Sequence, residues 1–197
     1  MSKAEKTREF IIKKSATIFN KKGYAGTSLQ DLIKATGLTK GSIYGNFENK
    51  DEVATAAFDY NINGVNKRIA EYVVLKTTAT EKLIAITEYY RENWKQVFER
   101  GGCPLQNASI EADDNLPFLK SHVQNSVKRW VKSIGRIIEL GKENGEFRKN
   151  ISSEDYAYTI ITLLEGGIML GKITNHSKHF MLALDRIVKI IDTEIKK

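Results

Sequence analysis

Proline restricts a helical chain more than any other residue, and this sequence contains only two, Pro104 and Pro117. Inside a helix, proline removes a backbone hydrogen bond and clashes with the preceding turn, whereas the first helical position accepts it. Apolar residues repeat at helical spacing after both prolines. We therefore expect both to open helices, and the chain between and around them can be helical throughout.

Apolar side chains recur every three or four residues over most of the chain, which is typical of helices that bury one face. The sequence predicts an all-α fold of about nine helices. We expect a three-helix domain over residues 1–50 and a second helical domain over residues 51–197, connected by a helix from about residue 50 to 75. Other long helices are predicted at residues 116–144, 152–173 and 175–197.

Residues 27–50 carry the signals of two short helices joined by a tight turn. Thr27 and Gln30 match the pattern of a capping box, which satisfies backbone amides at the start of a helix. Gly37 can adopt the left-handed conformation that ends a helix, and Thr39 suits the cap of the next one. This layout is typical of a helix-turn-helix, whose second helix enters the major groove of DNA. A plain helical hairpin with solvated lysines is the alternative.

The second of these short helices has side chains suited to a DNA groove. Gly41 lacks a side chain, so the backbone there can approach DNA closely. The hydroxyls of Thr39 and Ser42 can contact phosphate oxygens. Lys40 can bind a phosphate or the acceptor edge of a guanine, and Tyr44 offers a hydroxyl to a phosphate and a ring to a thymine methyl.

The positive charge is concentrated in the segment that holds this motif. The chain has a formal net charge of +7, and residues 1–50 account for +6 of it, with ten basic and four acidic residues. A basic surface attracts a protein to phosphate and makes the binding depend on salt. A merely solubilising surface is the alternative, but it would not explain why the charge collects in one quarter of the chain.

Residues 10–53 resemble the DNA-binding domain of the tetracycline-repressor (TetR) family of bacterial transcriptional regulators. The resemblance is carried by Ile12, Ala16, Phe19, Lys22-Gly23-Tyr24, Thr27-Ser28, Asp31-Leu32-Ile33, Gly37, Lys40-Gly41-Ser42-Ile43-Tyr44, Phe47 and Lys50. Together with the chemistry of the side chains, it predicts DNA contacts from Thr27, Ser28, Thr39, Lys40, Gly41, Ser42, Tyr44, Asn46 and Lys50. Asn46 departs from the histidine frequent there in the family, but asparagine can donate to a phosphate or read adenine.

The resemblance implies a function for the whole chain. Such a protein would bind a palindromic operator in double-stranded DNA as a homodimer, as a repressor, and a small-molecule effector bound to residues 51–197 would release it. It would need no cofactor. Two other classes stay open at this point, namely an enzyme or carrier with an incidental helical hairpin and an architectural protein that binds DNA without sequence preference.

Two apolar stripes near the end of the chain are candidates for the dimer interface. The resemblance implies that the last two helices pair with their copies in a four-helix arrangement. The residues predicted there are Ile160, Leu163, Leu164, Gly167, Phe180, Leu184, Ile187, Val188 and Ile191. The alternative is that both stripes face the core of a single chain.

Aromatic residues at helical spacing indicate where an effector would bind. Helical bundles can enclose an apolar pocket with a few polar groups, and the resemblance implies a small-molecule inducer in it. The predicted lining is Tyr90, Trp94, Phe98, Cys103, Phe118, His122 and Trp130. Ordinary core packing is the alternative for each of these side chains.

Cys103 precedes Pro104 and is therefore a candidate helix cap, where the helix dipole lowers the pKa of a thiol. Such a thiol could sense oxidants or electrophiles, and the alternative is a small buried residue. His122, His176 and His179 form no ligand cluster in the sequence, so we expect no metal site. We also expect no catalytic residues, because no phosphate loop or nucleophile motif is evident.

The chain has one cysteine, no apolar run long enough for a membrane span, and an N-terminal segment without the apolar stretch of a signal peptide. These features predict a cytoplasmic protein with no membrane partner.

Overall fold

The computed structural model describes residues 2–197. Over this range the chain forms nine α-helices followed by one π-helical turn, and no β-strand. The predicted all-α fold is confirmed, as is the number of helices. The elements are α1 (Lys3–Lys22), α2 (Leu29–Thr36), α3 (Lys40–Tyr44), α4 (Lys50–Val73), α5 (Ala79–Glu99), α6 (Pro104–Asp114), α7 (Pro117–Glu143), α8 (Ser153–Ile173), α9 (Lys178–Ile190) and the turn Ile191–Ile195.

Both prolines stand at the first position of a helix, α6 and α7, as the sequence predicts. Side-chain caps open several of the other helices. Thr78 and Glu81 form a complete capping box at the start of α5, and the Ser152 hydroxyl accepts the Asp155 N–H at the start of α8. The starts of these helices are thus set by residues in or just before their first turn.

The contacts divide the chain into two compact units. The first runs through Gly64 and also includes Pro104–Asn125, and the second comprises Val65–Cys103 and Ser126–Lys197. Helix α6 therefore belongs to the unit that contains the helix-turn-helix, although it lies far along the sequence. The division at residue 50 remains a prediction about function.

The core of the first unit is built around Tyr24. Its ring stacks on Phe19 with 5.4 Å between ring centroids and meets the edge of Phe58 at 6.4 Å. All three side chains are buried. The Asn61 amide donates to the Ala16 carbonyl at 2.8 Å, which joins α4 to α1. This core holds α1 against α4.

The core of the second unit joins α5, α8 and α9 around Phe180. Tyr90 and Phe98 contact its ring at centroid distances of 5.8 and 5.9 Å. Gly167 lets α8 and α9 approach closely, because a Cβ at this position would lie 2.7 Å from the Ala183 Cβ. The tight packing of these helices buries the apolar stripes noted in the sequence.

This burial corrects the predicted dimer interface. Ile160, Leu164, Gly167, Phe180, Leu184, Ile187 and Ile191 are buried inside the second unit, and Leu163 and Val188 are half-buried. The alternative, core of a single chain, therefore holds for the seven buried residues, whereas Leu163 and Val188 stay candidates for the interface. A different side of the same two helices is exposed, and it carries Tyr158, Met169, Leu170, Ile173 and Leu182.

Candidate nucleic-acid interface and effector cavity

The turn between α2 and α3 is set by local hydrogen bonds. Gly37 adopts the left-handed conformation, with φ 69° and ψ 11°, and its N–H donates to the Ile33 carbonyl at 2.8 Å. The Leu38 N–H donates to the Thr36 hydroxyl at 3.2 Å. Thr39 then caps α3, since its hydroxyl accepts the Ser42 N–H at 3.2 Å. The helix-turn-helix geometry predicted from the sequence is therefore present.

Helix α3 presents polar residues outward. Ile43 and Phe47 are buried, whereas Thr39, Lys40 and Gly41 are exposed and the nearby Ser42 and Tyr44 are half-buried. A Cβ placed on Gly41 would come no nearer to any other group of the chain than 4.0 Å, to the Thr39 hydroxyl. The fold itself therefore does not require glycine at this position, and a DNA contact here stays a prediction.

Two of the predicted DNA contacts, Thr27 and Lys50, form hydrogen bonds within the chain. Thr27 is fully buried, and its hydroxyl donates to the Gly23 carbonyl at 2.6 Å. Its side chain is thus corrected from a DNA contact to a structural one. Lys50 is half-buried and donates from Nζ to the Thr27 carbonyl at 3.0 Å, which joins the start of α4 to the start of α2.

The cap of α2 is also corrected by one residue. Ser28, not Thr27, is the N-cap, and its partner in the capping box is Asp31, not Gln30. Asp31 also forms an ion pair with Lys22 at 2.6 Å. The hydrogen bond from Lys22, followed by those from Ser28, holds the pKa of Asp31 well below its ordinary value. Asp31 therefore stays ionised and fixes the start of α2 against the end of α1.

Asn46 and Arg8 form a support behind α3. The Asn46 side-chain amide donates to the Ser42 carbonyl at 2.9 Å, so it helps to end the helix. The Arg8 guanidinium donates to the Asn46 carbonyl, pairs with Glu52 at 2.7 Å and lies 4.0 Å from the centroid of the Phe47 ring. Sequence reasoning missed Arg8, because no local pattern indicates a contact 38 residues away.

The second unit contains a cavity of about 630 Å³. Four helices, α4, α5, α7 and α8, contribute to its walls. It is lined by Asn66, Ile69, Ala70, Val73, Ile86, Tyr90, Arg129, Trp130, Lys132, Ser133, Ile134, Arg136, Ile137 and Leu164. The volume falls within the range of small-molecule sites, which are commonly a few hundred to about 1,000 Å³.

Only two of the predicted pocket residues, Tyr90 and Trp130, line this cavity. The Trp130 indole N–H donates to the Asn66 side-chain oxygen at 2.6 Å, which fixes the indole in the wall. Neither aromatic spacing nor composition indicates the apolar α4 residues that complete the lining, because the residues they face belong to three other helices, α5, α7 and α8.

The other predicted pocket residues lie elsewhere. Trp94 and Phe98 pack edge to face at 5.5 Å and do not line the cavity. Phe118 and His122 belong to the first unit, where His122 Nδ1 lies 3.1 Å from an oxygen of Asp59. None of these four lines this cavity, and a role for them in effector binding stays a prediction.

Cys103 is buried and does not line this cavity either, so its part in an effector site or in sensing stays a prediction. Its thiol is hydrogen-bonded to the carboxyl group of Glu165 on α8. Burial raises the pKa of Glu165 to about 7, and the hydrogen bond from Cys103 opposes this rise. The second unit therefore contains a carboxyl group that can hold a proton near neutral pH.

Two family models match the chain. One, described as bacterial regulatory proteins of the tetR family, matches residues 11–57. The other, described as the tetracyclin repressor-like C-terminal domain, matches residues 79–187, more than half of the chain. This chain belongs to the TetR family.

Solved structures of TetR-family proteins are similar over the whole chain. A transcriptional regulator from Cytophaga hutchinsonii is 40% identical, with a TM-score of 0.94, and the match covers 100% of this chain and 98% of the other. A TetR transcriptional regulator from Chloroflexus aurantiacus is 34% identical, with a TM-score of 0.92 and coverage of 100% and 99%. Among characterised relatives, the HTH-type transcriptional repressor DhaR of Mycobacterium sp. is 22% identical over 93% of this chain and 89% of its own length.

As a member of the TetR family, the protein is a DNA-binding transcriptional regulator and not an enzyme, as the sequence predicts. Within residues 2–197, no helix is long and apolar enough to cross a membrane. The same described residues contain no group of three or more His, Cys, Asp or Glu side chains placed to hold a metal ion.

Proposed function

We propose that this TetR-family protein is a repressor that binds a palindromic operator as a homodimer and leaves it when a small molecule enters the 630 Å³ cavity. The observation that carries the proposal is the outward polar face of α3, on which Lys40 and Gly41 are exposed while Ile43 anchors the helix in the core. The cytoplasm, where a bacterial operator lies, is the compartment that this function requires.

Direct reading of the operator would use the exposed part of the predicted set. Lys40, Gly41, Ser42 and Tyr44 lie on α3 and face outward at least in part. Thr39 and Ser28 are exposed at the starts of α3 and α2, where hydroxyls can contact phosphates. Lys50, Asn46 and the buried Thr27 act by holding these helices in place.

A dimer is required because two recognition helices must reach half-sites about one helical turn apart. The exposed apolar side of α8 and α9, formed by Tyr158, Met169, Leu170, Ile173 and Leu182, is the surface that we assign to it. Side chains of this kind are seldom exposed together unless they bind a partner. A two-fold axis would pair each helix with its own copy.

Release would follow from a difference in effector affinity between two conformations of the protein. Helices α4 and α7 line the cavity, and both continue into the residues of the first unit. A ligand that favours one arrangement of these helices would alter the distance between the two α3 helices in the dimer.

The test is selection of bound duplexes from a random DNA pool at physiological salt. We expect the wild type to recover one palindrome and Tyr44→Ala to recover none. Tyr60→Ala is the matched control, because Tyr60 is exposed on α4 of the same unit and should leave selection unchanged. If the wild type recovers no preferred sequence, the protein binds DNA without readout, and the proposal of a specific operator fails.

A further inference from the structure

The cavity in the second unit has an apolar interior. Apart from Asn66, Tyr90, Trp130 and Ser133, its uncharged lining is aliphatic. Asn66 already accepts the indole N–H of Trp130. These walls suit the hydrocarbon part of a ligand, because they offer few polar groups to hydrate or orient a polar one.

The charged residues at the cavity are all basic. Arg129, Lys132 and Arg136 line it from α7, and no Asp or Glu is part of the lining. Their spacing of three and four residues places them along one edge of the helix. All three are exposed, so the charge lies at the rim and the apolar lining lies behind it.

None of these three cations is neutralised within the described chain. The ion pairs formed by residues 2–197 do not include any of them. Arg129 donates only to a hydroxyl, that of Ser126, at 3.0 Å. Lys132 and Arg136 also line a second groove, and Glu139 is the acidic residue of α7 in that groove. Its carboxylate accepts hydrogen bonds from Lys142 and Ser153 instead.

We propose that the effector is an apolar molecule with one anionic group, such as a carboxylate or a phosphate, and that this group binds Arg129, Lys132 and Arg136 while the apolar part fills the cavity. This inference rests on the proposed function, since it names the class of ligand for the same site. A cation of the same shape would be repelled by three like charges at the rim. A neutral ligand would gain no charge–charge attraction from them.

Binding can be measured without DNA through the fluorescence of Trp130. The chain has two tryptophans, and Trp94→Phe removes the one that does not line the cavity. In this background, decanoate, 1-decanol and decylammonium serve as probes of equal chain length with negative, zero and positive charge, each below its micelle concentration. We expect decanoate to bind most tightly and decylammonium most weakly, with the advantage of decanoate falling as salt increases.

The cations are then tested by replacement. Changing Arg129, Lys132 and Arg136 together to Gln should weaken decanoate binding about tenfold or more, because each exposed ion pair changes an affinity by up to roughly fivefold. Binding of 1-decanol should stay unchanged, which also shows that the variant is folded. Lys128→Gln is the matched control, since Lys128 lies on the same helix but does not line this cavity.

The outcomes separate the inference from the proposed function. If 1-decanol or decylammonium binds as tightly as decanoate, or if no probe binds, the anionic class is wrong. Operator selection is measured separately and can succeed in either case, so a protein that recovers a palindrome but does not prefer decanoate retains its proposed DNA-binding function and loses only this inference. If Lys128→Gln loses as much decanoate binding as the triple variant does, the three cations at the rim are not the group that binds the anion.

Discussion

The carboxylate of Glu111 on α6 accepts a hydrogen bond from the backbone N–H of Tyr24, at 2.8 Å, and a second from the adjacent Ala25 N–H at the same distance. Tyr24 follows Gly23, which ends α1 with φ 86°. A Cβ on Gly23 would lie 2.8 Å from a Glu111 oxygen, so glycine makes room for the carboxylate. One acidic side chain therefore fixes α6 to the turn that leads into the helix-turn-helix.

We expect Glu111→Ala to lower the free energy of unfolding by about 1–3 kcal/mol, because two hydrogen bonds to a charged acceptor are lost. Denaturant unfolding of the full chain measures the change, and operator affinity should fall with it. Asp114→Ala is the control, since Asp114 is exposed near the end of the same helix. Equal stability of the two variants would show that the Glu111 contact contributes nothing.

Gly41→Ala separates the needs of the fold from those of DNA binding. The added methyl group meets no close contact within the chain, and alanine favours a helix over glycine by roughly 0.5–1 kcal/mol. We therefore expect unchanged or higher stability, together with operator affinity reduced about tenfold or more by a clash with DNA. Gly135→Ala on α7 is the control for affinity. Undiminished affinity of Gly41→Ala would mean that α3 does not approach DNA at this point.

Gly167→Ala should have the opposite effect on stability. The new methyl group would lie 2.7 Å from the Ala183 Cβ and 2.9 Å from the Phe180 ring. Overpacking of this kind costs typically 1–3 kcal/mol, which exceeds the gain in helix propensity. Urea unfolding at several protein concentrations measures the loss, with Gly166→Ala on the same helix as the comparison, because a Cβ on Gly166 would have nothing within 4 Å. A variant as stable as the wild type would refute the close packing of α8 on α9.

The proposed dimer surface can be tested by placing a charged side chain in it. Ile173 and Leu182 are 79% and 66% exposed, and glutamate at either position should convert the dimer to a monomer in sedimentation equilibrium. The expectation follows because an unpaired charge would be buried in the interface. Leu75 is 81% exposed outside α8 and α9, so Leu75→Glu should leave the dimer intact. Persistence of the dimer in both test variants would place the interface elsewhere.

The buried carboxyl of Glu165 predicts a pH dependence of stability. Burial raises its pKa from 4.5 to about 7. Between pH 4.5 and pH 7, the folded chain therefore holds a proton that the unfolded chain has already released. Stability from this group is therefore present at low pH and is lost as the pH rises from about 4.5 to 7. At pH 8 the free energy of unfolding of Glu165→Gln should exceed that of the wild type by about 3 kcal/mol, because the variant has no carboxyl group to ionise in the folded state. At pH 4.5 the two proteins should differ little in stability.

Unfolding of the wild type, Glu165→Gln and Glu154→Gln across this range tests the prediction. Glu154 lies on the same helix but is exposed, so its replacement should not change the slope of stability with pH. A slope that survives in Glu165→Gln would assign the dependence to another group.

The start of α2 shows how far local sequence reasoning reaches. Thr27 and Ser28 can both cap a helix, and both stand three residues before a side chain able to complete a capping box. The existence of the helix follows from this pattern. The choice between the two caps depends on the burial of Thr27 and its bond to the Gly23 carbonyl.

Helical periodicity also does not decide which apolar side of α8 and α9 is buried in the core of the chain. Both helices have apolar residues on more than one side, as Leu164 and Ile173 on α8 illustrate. The first is buried in the unit and the second is exposed. A stripe in a single sequence shows that a face is apolar, but it does not show whether the same chain or another one covers it.

The sequence by itself determined that the protein is all-α, where its helices lie, and that a helix-turn-helix with a basic, glycine-containing second helix stands near the N-terminus. These properties depend on caps, breakers and spacings within a few residues. The tertiary structure alone decided that Glu111 holds the turn after α1 and that the cavity is built from α4, α5, α7 and α8. Such contacts join residues far apart in the chain, and their geometry depends on how whole helices pack rather than on any local preference.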